Sequence, residues 1–276
     1  MVVGKIKTLI FGASGMLGTE LCRVFPDAVK LKHADIDIRD REKVIDAIIV
    51  NRPDVVINAA AYTAVDDCED NQELAFDING KAPGYMAQGC VMNKAKLIHY
   101  STDYVFNGSR KEYFEADVTD PINVYGRSKL MGELNIIKNM SNFRIIRTSW
   151  LFGMHGKNFV DTMLKLSKEM TSVKVVNDQF GKPTYAYDLA KKTEEIIVLD
   201  HGIYHITNDG ICSWFEFASS IIDNATPCTS KEFPRRARRP EYSVLVNTKT
   251  TPMRHWREAL SEYLKLKEKG IKYLES

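Results

Sequence analysis

The sequence predicts an α/β protein: a doubly wound parallel sheet, with a small lobe assembled from discontinuous C-terminal pieces. Three observations carry this reading. Short apolar runs alternate with segments of helical periodicity as far as Trp150. A glycine-rich turn, Gly12-Ala13-Ser14-Gly15-Met16-Leu17-Gly18, follows the first apolar run. The chemically suggestive residues (Gly12, Asn58, Ser101-Thr102, Thr148-Ser149-Trp150) fall at the carboxyl ends of the apolar runs, where such sheets bind ligands.

Thr8-Leu9-Ile10-Phe11 has the unbroken apolar character of a strand buried on both faces. Helical spacing follows over 16–25, a second strand over 28–31, and a helix over 41–50 that stops near Pro53. Val55-Val56-Ile57-Asn58 is a third strand. One long helix covers about 73–92, Leu97-Ile98-His99-Tyr100 is the next strand, 124–137 the next helix and 144–147 a further strand. Crossovers between such strands are right-handed. Beyond Trp150 the rhythm changes: a helix over 159–168, a strand over 173–176, then a helix over 188–199 and a strand over 204–206 returning to the main sheet. Residues 213–222 and 257–266 are further helices. The predicted division is a Rossmann-type NAD(P)-binding domain over 1–151, to which 184–210 returns, and a substrate-binding lobe of 152–183 and 211–276.

Hydrophobic residues at 44% and charged residues at 27% fit an ordinary soluble globular chain. Lys plus Arg is 38 against 36 Asp plus Glu, too balanced to favour nucleic acid or a membrane surface. No apolar run approaches the roughly 20 residues of a spanning helix. Met1-Val2-Val3-Gly4-Lys5 leads directly into a strand, so no signal peptide is expected. The 5 cysteines show no metal-like spacing and are expected to be reduced thiols in a cytoplasmic protein without a bound metal.

Gly12, Gly15 and Gly18 have the spacing of a dinucleotide-binding turn: glycine admits the tight turn and close approach of a pyrophosphate, and the following helix aims free N–H groups at it. At the end of the second strand, near Lys32-His33, no Asp or Glu takes the expected place where an adenosine ribose is usually held. Lys32, His33 or Arg39 therefore suit a 2'-phosphate, which favours NADPH over NADH; Lys32 and His33 read equally well as exposed loop. Asp37-Ile38 suits the flank of the adenine. Asn58-Ala59-Ala60-Ala61 ends the third strand in small side chains, which fits either a close-lying dinucleotide or tight packing.

Tyr125 and Lys129, four residues apart, share one helix face. The ammonium is expected to lower the phenol pKa from about 10. The phenol then protonates a carbonyl oxygen as hydride reaches carbon, Thr102 donates a second hydrogen bond to that oxygen, and Lys129 holds the nicotinamide ribose. A Tyr-x-x-x-Lys pair alone is ordinary helix surface; the glycine turn and the hydroxyl at the preceding strand end give it meaning.

The blocks at 12–18, 58–66 (Asn-Ala-Ala-Ala-Tyr-Thr-Ala-Val-Asp), 100–108 (Tyr-Ser-Thr-Asp-Tyr-Val-Phe-Asn-Gly), 123–129, 147–153 (Arg-Thr-Ser-Trp-Leu-Phe-Gly) and 238–243 resemble those of the dTDP-4-dehydrorhamnose reductases, within the extended short-chain dehydrogenase/reductases. The resemblance covers nearly the whole chain. It implies NAD(P)H-dependent reduction of the 4-keto group of dTDP-4-dehydro-L-rhamnose to dTDP-L-rhamnose. It implies Thr102, Tyr125 and Lys129 as the catalytic trio. The cofactor would be lined by Gly12, Ser14, Gly15, Met16, Leu17, Asp37, Ile38, Ala59, Ala60 and Ala61, together with Tyr125 and Lys129. Thr63, Val65, Tyr104 and Trp150 would surround the sugar beside Thr102 and Tyr125, and Arg239 would meet the nucleotide diphosphate. The other arginines of Arg235-Arg236-Ala237-Arg238 read as surface or a steering field. Some members dimerise through Mg²⁺ held by glutamates. Here Glu20 takes one such position and Tyr187 the other, so a monomer or weak homodimer is expected.

Three alternatives stay open. A nucleotide-sugar 4,6-dehydratase or epimerase has the same fold, but dehydratases carry Glu after Thr-Asp, and Tyr104 follows Thr102-Asp103 here. A reductase of another nucleotide-linked 4-keto-deoxysugar is the second. The third is a non-catalytic regulatory subunit resembling the methionine adenosyltransferase beta subunit.

Overall fold

The structure, a computed structural model, describes residues 6–270. Residues 1–5, including the expected N-terminal lead, and 271–276 lie outside the described part. The chain runs β1 (Thr8–Phe11), α1 (Met16–Val24), β2 (Val29–Leu31), α2 (Arg41–Asn51) and β3 (Val55–Asn58). Two short helices, α3 (Val65–Asp70) and α4 (Gln72–Ala75), lead through a π-helical turn, Phe76–Lys81, into α5 (Ala82–Asn93). Then come β4 (Lys96–Thr102), α6 (Val124–Asn139), β5 (Phe143–Thr148), β6 (Leu151–Phe152), α7 (Phe159–Glu169), β7 (Val173–Val176), β8 (Phe180–Gly181) and β9 (Thr184–Tyr185). The remainder is α8 (Ala186–Val198), β10 (Gly202–His205), β11 (Cys212–Ser213), α9 (Trp214–Ser219), β12 (Ala225–Cys228) and α10 (Trp256–Glu268).

Six strands form one parallel sheet in the order β10-β5-β4-β3-β1-β2. The order reverses between β1 and β3, so the loops after both strands open into one crevice. Because side chains alternate along a strand, each strand feeds both faces. Leu9, Phe11, Val56 and Leu97 pack with Val44 and Ile48 of α2 and Met86 and Cys90 of α5. Ile10, Ile57, Ile98 and Ile146 pack with Leu17 and Leu21 of α1 and Leu189 and Ala190 of α8. β10 and α8 thus complete the sheet and its second layer.

The remaining strands pair off the main sheet: β7 with β12, β8 with β11, and β6 with β9. A separate aromatic core joins Phe152, Tyr185, Phe217, Trp256 and Tyr263.

The predicted helical stretch over 73–92 is continuous from Gln72 to Asn93, but it is not one regular α-helix. Pro83 has no N–H to give the Asn79 carbonyl one turn back, and the chain passes through a wider π turn before resuming as α5. The predicted helix over 213–222 ends at Ser219, and β12, containing Pro227, follows unpredicted. Proline is tolerated there because β12 pairs only with β7, leaving its other edge free.

One ion pair is buried in the sheet layer. Arg147 on β5 grips Glu133 on α6 with two fork hydrogen bonds, Nη2 to Oε2 at 2.7 Å and Nε to Oε1 at 3.0 Å. The Ser101 hydroxyl donates to Oε1 at 2.5 Å. The two charged side chains are 3% and 1% exposed, so neither can exchange its partner for water. Arg147→Met is expected to strand the Glu133 carboxylate and cost about 3–5 kcal/mol. Urea unfolding measures it, and a loss below about 1 kcal/mol would contradict the weight placed on this pair.

Candidate active site

At the carboxyl edge of the sheet three cavities lie end to end. The first, about 470 Å³, is lined by Gly12, Ser14, Gly15, Asp37, Ile38, Ala59, Ala60 and Ala61, with Lys32, His33 and Arg39 at its wall. It shares Gly15, Ala59 and Ala61 with a central cavity of about 410 Å³ that holds Met16, Leu17, Thr63, Val65, Thr102, Tyr104, Tyr125, Lys129 and Trp150. Val65, Tyr104 and Trp214 are shared in turn with a third cavity of about 420 Å³, bounded by Met163, Val173, Val175, Gln179, Arg235 and Arg239. Every site residue expected from the sequence lines one of the three.

The first cavity has the construction of a dinucleotide cradle. Gly12 has φ of +78°, and a Cβ there would stand 2.6 Å from the Ala60 nitrogen. Gly15 precedes α1 and offers no side-chain cap, and no acidic residue stands in the first turn, so the first N–H groups and positive dipole end of α1 are free to face an anion. Asn58 shapes the facing wall: its Oδ1 accepts the Ala60 N–H at 3.1 Å, and its amide bonds the His99 ring at 3.0 Å. The donor set suits NADPH or NADH. Arg39 is partly committed already, with a fork on Asp37 at 2.6 and 2.9 Å that holds the Asp37 carboxyl down at about 2. Lys32 and His33 line the same wall.

In the central cavity α6 sets the geometry. Asn123 caps it, accepting the Gly126 N–H at 2.8 Å, and its amide donates to the Arg238 carbonyl at 2.8 Å. Gly126 lies against the Tyr104 carbonyl so closely that any Cβ would overlap it. This contact seats Tyr125 beside the end of β4, its ring edge-on to Tyr104 with centroids 5.9 Å apart. One turn on, Lys129 is buried and donates to the Tyr100 carbonyl at 2.6 Å.

The electrostatics correct one expectation. Burial dominates at Tyr125 and pushes the phenol above its ordinary value, rather than Lys129 pulling it below; the Thr102 hydroxyl opposes the shift. Burial lowers the Lys129 ammonium to about 8, against the pull of Glu133 one turn further along α6. At neutral pH the site therefore holds a protonated phenol and a protonated amine.

The sequence reading missed several residues here. Asn79, in the π turn, accepts the Tyr62 N–H at 2.8 Å and donates to the Tyr62 carbonyl at 2.9 Å and to Ser128 at 3.1 Å, tying the 59–63 wall to α6. Trp214 stacks on Trp150 at 3.6 Å and 9°. Trp150 has φ of +49°, and Gly181 leaves room for its ring, since a Cβ there would lie 2.6 Å from the indole. Asp103 is buried in the wall between Thr102 and Tyr104. Arg239 lines the third cavity with its fork on Asp66, at 2.6 and 2.9 Å, and Arg236 pairs with Asp70, so the segment crosses from the C-terminal part onto α3. Glu20 is buried and paired with Arg23 at 2.6 Å, and Arg23 lies 5.0 Å over the Tyr187 ring. Among the described residues no group of three or more His, Cys, Asp or Glu could hold a metal ion. No helix of the described residues is long and apolar enough to cross a membrane.

Comparison with known proteins gives a consistent picture. The family model for the RmlD substrate binding domain matches residues 6–268. A spore coat polysaccharide biosynthesis protein, SpsK of Bacillus subtilis, is 42% identical, over 94% of this chain and 96% of its own. A dTDP-4-dehydrorhamnose reductase of Burkholderia thailandensis is 38% identical, over 88% of this chain and 91% of its own. The crystal structure of the Bacillus anthracis dTDP-4-dehydrorhamnose reductase in complex with NADP superposes with a TM-score of 0.92 at 37% identity, covering 95% of this chain and 99% of that one.

Gly12→Ala tests the cradle. The added methyl meets the Ala60 backbone and the φ is strained for any L side chain. NADPH affinity, read by fluorescence titration, is expected to fall by roughly tenfold or more, the equivalent of about 1.4 kcal/mol. Unchanged affinity in a folded variant would place the nucleotide elsewhere.

Proposed function

This chain belongs to the RmlD family, that of the dTDP-4-dehydrorhamnose reductases, and from that premise we propose that it reduces the 4-keto group of dTDP-4-dehydro-L-rhamnose to give dTDP-L-rhamnose. The observation that carries the reading is the placement of Thr102, Tyr125 and Lys129 in the middle one of three joined cavities. One flanking cavity has an uncapped helix start and a glycine cradle; the other has arginines beside an apolar slot. The division into a Rossmann-type domain and a lobe of 152–183 and 211–276 belongs to this proposal, with the trio at their junction.

NADPH, or NADH, supplies the hydride when bound. Gly12, Ser14, Gly15, Met16 and Leu17 would hold its phosphates and the 59–61 wall its flank, with Asp37 and Ile38 towards the adenine and Lys129 towards the nicotinamide ribose. The substrate diphosphate and base would take the third cavity, where Arg239 is braced by Asp66 and Arg235 stands over Phe233. The indole face of Trp150, backed by Trp214, suits the apolar side of a deoxysugar. Thr63, Val65 and Tyr104 enclose the ring.

As hydride adds to C4 the carbonyl oxygen gains an electron pair. Tyr125 gives it the phenolic proton, and Thr102 donates a hydrogen bond to the same oxygen. A phenol kept protonated by burial is the form this step requires. The Lys129 ammonium stabilises the phenolate left behind. Tyr104 stands where a dehydratase would place its glutamate, and burial holds it neutral, so it is no base for removing water.

Tyr125→Phe is expected to keep nucleotide affinity and lose about 10²- to 10⁴-fold in kcat. Near wild-type turnover would refute the role given to the phenol. The protonated form of Lys129 is present below about 8 and lost as pH rises through that value. A Lys129-dependent fall in kcat is therefore expected on the alkaline side of pH 8, and a Lys129→Met protein should not show it.

A further inference from the structure

The hydroxyl of Thr102 has one proton to give and two lone pairs to offer. The Tyr104 N–H occupies one lone pair, at 3.1 Å. Asp103 Oδ1 lies 3.0 Å away and takes one of the two remaining valences. Only the other is left for the cavity, where Tyr125 stands. We infer that Asp103 is a positioning residue whose protonation decides which face of the Thr102 hydroxyl the reacting carbonyl meets. As a carboxylate, Asp103 consumes the Thr102 proton and turns a lone pair towards the cavity, which repels a carbonyl oxygen. As a carboxylic acid, it donates to Thr102 and frees the hydroxyl proton for the substrate. The inference rests on the reductase reading above, since only a hydride acceptor needs that donor.

Two observations support a group poised between the two states. Asp103 is 3% exposed, and its buried Oδ2 has no hydrogen-bond partner among the described residues, so the ionised form is poorly solvated. Burial raises its carboxyl to about 7, against the opposing pull of the Ser243 and Thr102 hydroxyls. The groups around it are Tyr104 alongside, Tyr125 and Lys129 from α6, and Ser243 from the C-terminal segment, where Arg239 is neutralised by Asp66. Lys129 is held by Tyr100, so no cation pairs directly with Asp103 in the described residues. The acid form dominates below the midpoint and supports turnover; it is lost as pH rises.

The test is the pH profile of kcat with NADPH and dTDP-4-dehydro-L-rhamnose. Wild-type enzyme should lose roughly tenfold between about pH 6 and pH 8, as one group with a midpoint near 7 requires, before the Lys129 limb. Asp103→Asn cannot ionise, so whichever way its amide sits, the limb near 7 should vanish and that near 8 remain. Ser243→Ala removes the hydroxyl that opposes the rise of the Asp103 carboxyl and should move the limb to higher pH, which keeps the test decisive if Asp103→Asn does not fold. A wild-type profile flat to pH 7.5, an Asp103→Asn protein with the limb intact, or a change confined to KM would overturn the inference. Carbon-13 NMR titration of labelled aspartate carboxyls, made without substrate, separates this claim from the reductase reading. A midpoint near 4 for Asp103, or one indifferent to Thr102→Val, contradicts the inference even in a protein that reduces nothing.

Discussion

The close approach of α6 to the end of β4 is the constraint on which the rest depends. Gly126 has no side chain because the Tyr104 carbonyl occupies that space, and Gly132 makes the same allowance for the Asn79 carbonyl of the π turn. The Glu133–Arg147 pair, tightened by Ser101, locks the helix to β4 and β5 from beneath. With α6 pinned in its first turn and again at its middle, Tyr125 and Lys129 between them are held against the strand end. In the proposed mechanism, positioning of this kind converts a weak acid and a diffusible substrate into an effectively intramolecular pair.

That same burial sets the charges. A phenol and an amine removed from water both shift towards their neutral forms, so Tyr125 rises and Lys129 falls. For an oxidation, which needs a phenolate, this would be a handicap. For a reduction it supplies the proton in place.

Much of this was legible in the chain. The strands β1 and β3 are apolar runs with no competing reading, and the Gly12 turn and Tyr125–Lys129 spacing obey local rules that survive folding. What was not legible is non-local. The π turn within the 73–92 helical stretch follows from Pro83, yet its consequence, bringing Asn79 to Tyr62 and Ser128, appears only in three dimensions. Trp214 belongs to the site because it stacks on Trp150 from a distant segment, and no periodicity announces that. The expected lowering of the Tyr125 pKa was wrong because spacing reveals a neighbouring ammonium but not the loss of solvent, which outweighs it. Asp103 was passed over for the same reason: its character comes from being buried, not from its neighbours in sequence.

The most direct test of the account is to follow the hydride itself. Purified protein is given dTDP-4-dehydro-L-rhamnose with NADPH deuterated at the transferable position, and the sugar product is read by NMR. One deuterium is expected at C4 of dTDP-L-rhamnose, with stoichiometric oxidation of the nucleotide. Unlabelled sugar recovered beside unoxidised, bound NADPH would contradict it.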